Sequence, residues 1–416
     1  MIRKVMEVIY RSVGGLDVHK KMVMASRRRQ IDEAHVELET KSFRTTTAGL
    51  QALATWLAEW NVTHVAMEST GIYWVPIWNI LEPHFKLILV NAQRLKKVPG
   101  RKDDVLDAEW IAQCMQCGLL KGSFVPSKGI REWRHLTRQR TKLTDNHTAI
   151  VNRIHGVLQQ ANIKLSDVAS NIVGPTGLRM ITAMSEGETD PEALAALGGR
   201  LKAKPEDLVE SLDGRIEAHE RWLLKQLMRQ MKFLEREITI YDGRIRVQMK
   251  EHEHQLELLD TITGVGRRLA ENLLAEIGPN MRQFPSDDDL VSWAGLCPGR
   301  NESAGKKRSS KITDGNKWIR RAAVEGAWAA ARSKNTYLAA LFKRLAPRRG
   351  KNRAIIAVAR TMLQSAWHIL SKDIEYRELG GNYFDKLNHE KTRNYFVKRL
   401  QRLGYRVELS DTNNAA

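Results

Sequence analysis

A change of apolar period near Ser127 limits what this chain can fold into more than any other feature. Up to about Leu120, short apolar runs of strand length alternate with helical patterns; beyond Ser127, long stretches repeat their apolar residues at three and four. "VIYRSVGGLDV", "KMVMASRRR" and "HVELETKSF" read as three successive strands joined by tight turns. A helix over Ala48–Trp60, a strand over Thr63–Met67, a helix around Tyr73–Leu81, the strand "FKLILVN" and a helix carrying Asp104 and Asp107 follow. Three antiparallel strands succeeded by strand–helix alternation predict an α/β domain over residues 8–125.

Residues 127–258 read as helical linker and coiled coil. "IREWRHLTRQRTKLTDNHTAIVNRIHGVLQQA" is a long helix, and a stretch dotted with Gly and Pro runs from Ser166 to Pro205. One continuous helix of about fifty residues is then expected over Glu206–Leu259. On it Leu223, Leu227, Met231, Leu234, Ile238, Tyr241, Ile245 and Met249 form a seam with charged flanks, the pattern of a coiled coil that dimerises or acts as an arm, with a continuous core helix as the alternative. Residues 259–370 form a mainly α-helical unit. It opens on "LLDTITGVGRRLAENLLAEIG", shaped like a helix-hairpin-helix, whose Gly264 and Gly266 let backbone N–H groups approach a phosphate beside Arg267 and Arg268. Residues 371–416 read as a basic, polar and loose tail, with "SDTNNAA" disordered.

Charge narrows the partners. The chain has 67 Lys and Arg against 48 Asp and Glu, a net charge of +19. Between Gly299 and Arg360 stand seventeen cationic residues and three acidic ones. A surplus of this size favours a polyanion, because each neutralised phosphate releases a counterion. No apolar run approaches the roughly 18 residues of a membrane span, and the amino terminus has no apolar h-region, so no membrane role is expected. Three cysteines do not make a disulfide framework and suit a reducing cytosol. Cys114 and Cys117 form a C-x-x-C with no second pair to complete a zinc site.

Four carboxylates carry the chemistry: Asp17 in "GLDVHKK", Glu68 in "HVAMESTG", and Asp104 with Asp107 in "GRKDDVLDAEWIA". The first two end strand-like runs. The last two are three apart and share a helical face, although acidic residues in a first turn also simply complement the helix dipole. Converging hard oxygen donors suit a pair of Mg²⁺ ions, with Mn²⁺ as a substitute, that clamp the oxygens of a phosphodiester. A strand-borne Asp, a central-strand Glu and a helical Asp pair is also the order in which an RNase H-like fold delivers its acids. His19 is the one histidine near them. A second centre lies in "WAGLCPGRNESAGKKRSSKITDGNKWIRRA", where Ser303 stands in a loop among Arg300, Lys306, Lys307 and Arg308. Ser309 and Ser310 are rivals, and Lys311, Lys317, Arg320 and Arg321 extend the basic surface. A serine attacking DNA would store the phosphodiester in a covalent link, so strands rejoin without ATP.

These segments together, with "VAMESTGIYW" and "NAQRLKKVPGRKDDVLDAEWIAQ", resemble the one-ten family of bacterial insertion-sequence transposases from about Gly14 to Leu370. The resemblance implies an amino-terminal RuvC-like domain whose Asp-Glu-Asp-Asp tetrad binds Mg²⁺, falling on Asp17, Glu68, Asp104 and Asp107. It also implies a carboxy-terminal transposase domain whose nucleophile falls on Ser303. The family's "K-T-D-x-x-D-A" stands here with Asp103 in place of threonine, which leaves a fifth carboxylate beside the tetrad. Dimers and tetramers, guidance by a noncoding bridge RNA that pairs with donor and target DNA, and a cytoplasmic, nucleoid-associated location in a bacterium are further implications. The competing readings are a hydrolytic, junction-resolving nuclease using the same metals with water, and a non-catalytic nucleic-acid scaffold.

Overall fold

The computed structural model describes residues 7–32, 35–69, 71–90, 107–199, 201–299, 301–303, 306–309, 312–387 and 389–409. The chain divides into two compact units, one ending at Pro126 and one starting at Ser127.

The first unit is built on five strands: β1 (Ser12–Val18), β2 (Met22–Gln30), β3 (Val36–Arg44), β4 (His64–Ser69) and β5 (Lys86–Val90). Their order across the sheet is β3-β2-β1-β4-β5. β1, β2 and β3 pair antiparallel, whereas β4 lies parallel to both β1 and β5. The parallel pairs need crossovers, which helices α1 (Thr47–Ala58) and α2 (Trp74–Leu81) supply. Alternation along the strands sorts the two faces. Leu16, Val18, Val65 and Met67 pack with Leu50, Leu53, Trp56 and Leu57 of α1 and with Ile77 and Leu81 of α2. Val13, Ala66 and Val90 face the other way, onto Trp110, Ile111 and Met115 of α3 (Asp107–Gln116).

Gly15 fixes how close α3 comes. A Cβ there would stand 2.2 Å from the Ala108 carbonyl oxygen and 2.4 Å from the Ala112 nitrogen, so only glycine lets this helix lie directly on β1. At the far end of the helix, the Gln116 carbonyl accepts from the Ile9 and Tyr10 amides. The helix therefore runs antiparallel to β1 and begins over the edge where β1 ends.

The second unit is helical. The long helix α4 (Lys128–Gln160) packs against a later helix, Ala218–Gln248, through Ile150, Ile154, Val157 and Leu158 on one side and Leu224, Leu227, Met228 and Met231 on the other. Between them come α5 (Leu165–Val168), α6 (Pro175–Glu186), α7 (Pro191–Ala196) and α8 (Pro205–Leu212), so Ala218–Gln248 is α9. The continuous helix expected over Glu206–Leu259 is thus three pieces: α8, α9 and α10 (Glu253–Asp260). The first break has a physical cause. Arg215 donates its amide to the Ala161 carbonyl at 2.8 Å, and a Cβ on Gly214 would meet that same oxygen at 2.5 Å, so the chain turns to clasp the end of α4. Of the apolar seam read as a coiled coil, Leu227 and Met231 are buried in the core shared with α4 and Leu223 and Leu234 pack against that core, while Ile238, Ile245 and Met249 are buried farther along α9 and at its end.

After α10 come α11 (Arg267–Ile277), α12 (Asp287–Trp293), the two-stranded ribbon β6 (Asn301–Ser303) and β7 (Lys306–Ser309), α13 (Lys317–Arg332), α14 (Tyr337–Arg349) and α15 (Lys351–Lys372). Residues beyond Leu370 are more ordered than their polarity suggests. Asp373 accepts from His254 Nε2 at 2.8 Å, Tyr376 donates its amide to Thr261 Oγ1, and Glu378 accepts from both Thr263 Oγ1 and the Tyr337 amide. Tyr337 also stacks on Phe384 at 5.4 Å between ring centroids. This strap leads into α16 (Tyr383–Leu387) and α17 (His389–Arg402). The segment "SDTNNAA" lies outside the described residues. No helix among the described residues is long and apolar enough to cross a membrane.

Candidate active site

The parallel register of β1 and β4 pairs Asp17 with Glu68. Adjacent parallel strands lie about 4.8 Å apart and matched residues share a face, so the pairing brings two carboxylates together where the inner strands β1 and β4 end. Gly15 precedes Asp17 by two and lies under α3; Asp17 accordingly belongs to the α3 face, beyond the start of the helix. Asp107 is the first residue of α3, directly before Ala108, whose carbonyl meets Gly15. Three of the four acids picked from sequence therefore gather at one end of one unit. Asp104, and Asp103 beside it, lie outside the described residues.

The Asp17 carboxylate is about a quarter exposed and accepts from His19 Nε2 at 2.9 Å. His19 follows the end of β1 in the turn to β2, where its amide donates to the Met22 carbonyl. Among the described residues no three His, Cys, Asp or Glu side chains close into a metal-sized cluster. The donor chemistry still fits a hard divalent cation: Asp17, Glu68 and Asp107 offer only carboxylate oxygens, without the thiolate and imidazole set that suits zinc.

Ser303 belongs to the second unit and sits in a ribbon rather than a loop. It pairs with Lys306, the last matched pair before residues 304 and 305, while Glu302 pairs with Lys307 and Asn301 with Ser309 across a register shift. Arg300, Ser310 and Lys311 lie outside the described residues. The ribbon is followed by an isolated bridge between Pro298 and Ile312, and Thr313 donates its amide to the Cys297 carbonyl, so the basic segment is closed at its base.

The helix-hairpin-helix-like element is present as α10, a turn and α11, but its groups are largely engaged within the chain. Gly264 has a φ of +88° and a Cβ there would lie 2.5 Å from the Gly326 carbonyl, so the close backbone approach is made to α13. Gly266, at the start of α11, has open space. Arg267 pairs with Glu253 and, at 2.9 Å, with Glu271; Arg268 pairs with Asp242 at 2.6 Å. Arg321 pairs with Asp145 and Glu325 and holds the Asp145 carboxyl below the usual range. Arg320 donates to the Thr313 carbonyl, and Lys317 lies 5.6 Å from the Trp318 ring.

Sequence reasoning missed the polar centre of this unit. Arg140 is 3% exposed and donates to Asp242, Glu271, Asn272 and the Arg268 carbonyl, tying α4, α9 and α11 together. Glu276, equally buried, accepts from Arg138 and from Asn316. Each partner stands more than thirty residues from the other in the chain, and no local spacing signals such a pairing.

Two family models match the chain. One describes DEDD transposases of the IS110 type and covers residues 14–163; the other is described as "Transposase IS116/IS110/IS902 family" and covers residues 256–343. The chain is 26% identical over 324 residues to a Pseudomonas aeruginosa protein named "Probable family 20 transposase", covering 75% of this chain and 85% of that one. It is also 26% identical over 296 residues to the "Transposase for insertion sequence element IS1111A" of Coxiella burnetii, covering 70% and 72%. With matching models in both units and relatives aligned over most of its length, this chain belongs to the IS110 family of insertion-sequence transposases.

Proposed function

We propose that the chain cuts and rejoins DNA at the ends of its insertion sequence through a covalent phosphoserine link formed by Ser303. The pairing of Asp17 with Glu68 at the edge where α3 begins with Asp107 is the observation that carries this reading. The strand order and crossovers support an RNase H-like frame for that edge. Asp17, Glu68 and Asp107, with Asp104, are the residues to hold Mg²⁺ or Mn²⁺. A divalent ion bound there would draw charge off the phosphate oxygens.

The chain's own groups do the rest. His19, donating to Asp17, holds one carboxylate in place. Ser303 Oγ bonds to phosphorus as the bond to the leaving sugar oxygen breaks; the serine proton passes to solvent or a neighbouring base, and the leaving oxygen takes up another. A sugar hydroxyl from a second DNA end reverses these bonds and frees the serine. Lys306, Lys307 and Arg308, in the facing strand β7, are the cations to neutralise the phosphate.

Assembly as a dimer or tetramer has support on α9. Its seam against α4 is filled, yet Phe233, Ile240 and Val247 recur every seven residues and are 55–68% exposed. A noncoding bridge RNA is the partner that family resemblance brings, and the net charge of +19 is compatible with it. The test is strand exchange between labelled element-end and target DNA with Mg²⁺, comparing wild type with Glu68→Ala and Ser303→Ala. Loss of all cleavage in both variants supports the proposal. Cleavage that survives Ser303→Ala identifies the hydrolytic nuclease, and exchange that survives Glu68→Ala removes the carboxylates from the reaction.

A further inference from the structure

Among the described residues of the second unit, helix α17 is the one long element in which none is buried. The strap that precedes it is anchored at Asp373, Tyr376 and Glu378. Between His389 and Leu409 the chain carries six Lys or Arg and two Glu. Three aromatic rings stand in the same stretch: Tyr395 is 57% exposed, Phe396 53% and Tyr405 65%. At 100° per residue, Phe396, Leu400 and Leu403 form a stripe with Arg393 on one side and Arg399 on the other, and Tyr395 lies between Arg399 and Arg402. Arg399 donates to the Tyr395 hydroxyl at 3.3 Å, one turn apart, which sets guanidinium and ring side by side.

We propose that α17 and the segment to Tyr405 form a binding arm for an unpaired nucleic-acid strand. Exposed rings offer faces on which unpaired bases stack whatever their sequence, and cations interleaved with them track the phosphates. Duplex bases are already stacked on one another, so the rings gain nothing there. A second copy of this chain is the poorer occupant, because two arms that each carry six cations and two carboxylates repel. The arm lies beyond the residues matched by either family model and asks nothing of Ser303 or of the acidic edge, so it stands apart from the proposed strand-exchange chemistry.

The test uses the full chain and a fluorescent mixed-sequence strand of about 20 nucleotides, in DNA and in RNA form, with its duplex as control. Replacing Tyr395, Phe396 and Tyr405 together by Ala removes no buried contact, and alanine favours helix, so the fold survives. The expected result is at least about tenfold weaker binding of single strands, with duplex affinity unchanged. Weakening of the DNA strand only, the RNA strand only, or both identifies which polymer the arm serves. In a separate variant, Lys398→Gln with Arg402→Gln, the slope of log affinity against log salt should fall by about 1.4, as for two lost phosphate contacts. Wild-type single-strand affinity in the aromatic variant, or an equal loss on duplex, overturns the proposal. So does a fall in oligomer mass by light scattering with strand affinity intact, which would make α17 a contact between copies.

Discussion

Gly15→Ala is the most exacting test of how the acidic edge is built. The added methyl would meet the Ala108 carbonyl oxygen at 2.2 Å and the Ala112 nitrogen at 2.4 Å, both backbone atoms of α3 that no rotamer change can move. Restoring an ordinary contact takes a shift of roughly 1 Å of the whole helix, against the close packing of Trp110, Ile111 and Met115. Overpacking of this kind costs about 1–3 kcal/mol, and a backbone clash places it at the upper end. Because Asp107 starts that helix, the shift also moves it from Asp17 and Glu68, and misplacement by about 1 Å lowers rates by about 100-fold. Gly14→Ala is the matched control: its methyl faces the other side and meets only the Leu57 and Val65 side chains, at 3.1 and 3.2 Å, which can yield. Urea unfolding and strand exchange measured on both variants read the two effects. If Gly15→Ala is as stable and as active as Gly14→Ala, α3 does not rest on β1 as described and the positioning of Asp107 has another cause.

Arg140→Met should lower unfolding free energy by about 3 kcal/mol, because the buried Glu271 keeps only the part-exposed Arg267 while Asn272 and the Arg268 carbonyl lose their donor; a urea midpoint close to wild type would show that the Arg140 network is not buried as described. Asp145, its carboxyl depressed first by the hydrogen bond from Arg321, contributes stability that is complete above the ordinary Asp value near 3.8 and is lost as pH falls through its lower folded value. Both side chains are 40–47% exposed, so the contribution is below about 1 kcal/mol; urea midpoints from pH 5 to pH 2 should fall less steeply in Arg321→Gln than in wild type, and parallel curves would refute the pairing. Burial, with the neighbouring Cys117 adding to it, pushes the Cys114 thiol up to about 12. Native protein at pH 8 should resist iodoacetamide at Cys114 until it is unfolded in urea, as peptide mass spectrometry would report, and rapid native labelling would place that thiol at the surface.

The first unit was legible because its strands alternate and its helices do not. Strands read as "KMVMASRRR" and "FKLILVN" became β2 and β5 within a residue or two, and the helix read over Ala48–Trp60 became α1. The pairing of Asp17 with Glu68 was only implicit, since register depends on which strands meet and sequence spacing does not give it. Gly15 carried no signal at all; its importance is the proximity of a helix that starts ninety residues later. In the second unit the period was legible and the identity of what packs on it was not. From Leu223 to Leu234 the seam packs into a core shared with α4, and periodicity cannot tell a partner within the chain from one outside. Gly214 broke the expected helix for the same reason, a contact with Ala161 that lies far off in sequence. Ser303 was found by its neighbours and misplaced in a loop, because a ribbon as polar as "NESAGKKRS" lacks the alternation that marks a strand.

The proposed strand exchange requires Ser303 to become bonded to DNA. Its most direct measurement traps the reaction on a nicked element-end substrate with Mg²⁺, digests the protein and locates the nucleotide-bearing peptide by mass spectrometry. A nucleotide adduct on Ser303, absent from Glu68→Ala, is the predicted result. Cleaved DNA with no adduct, or an adduct on Ser309 or Ser310, would contradict the claim.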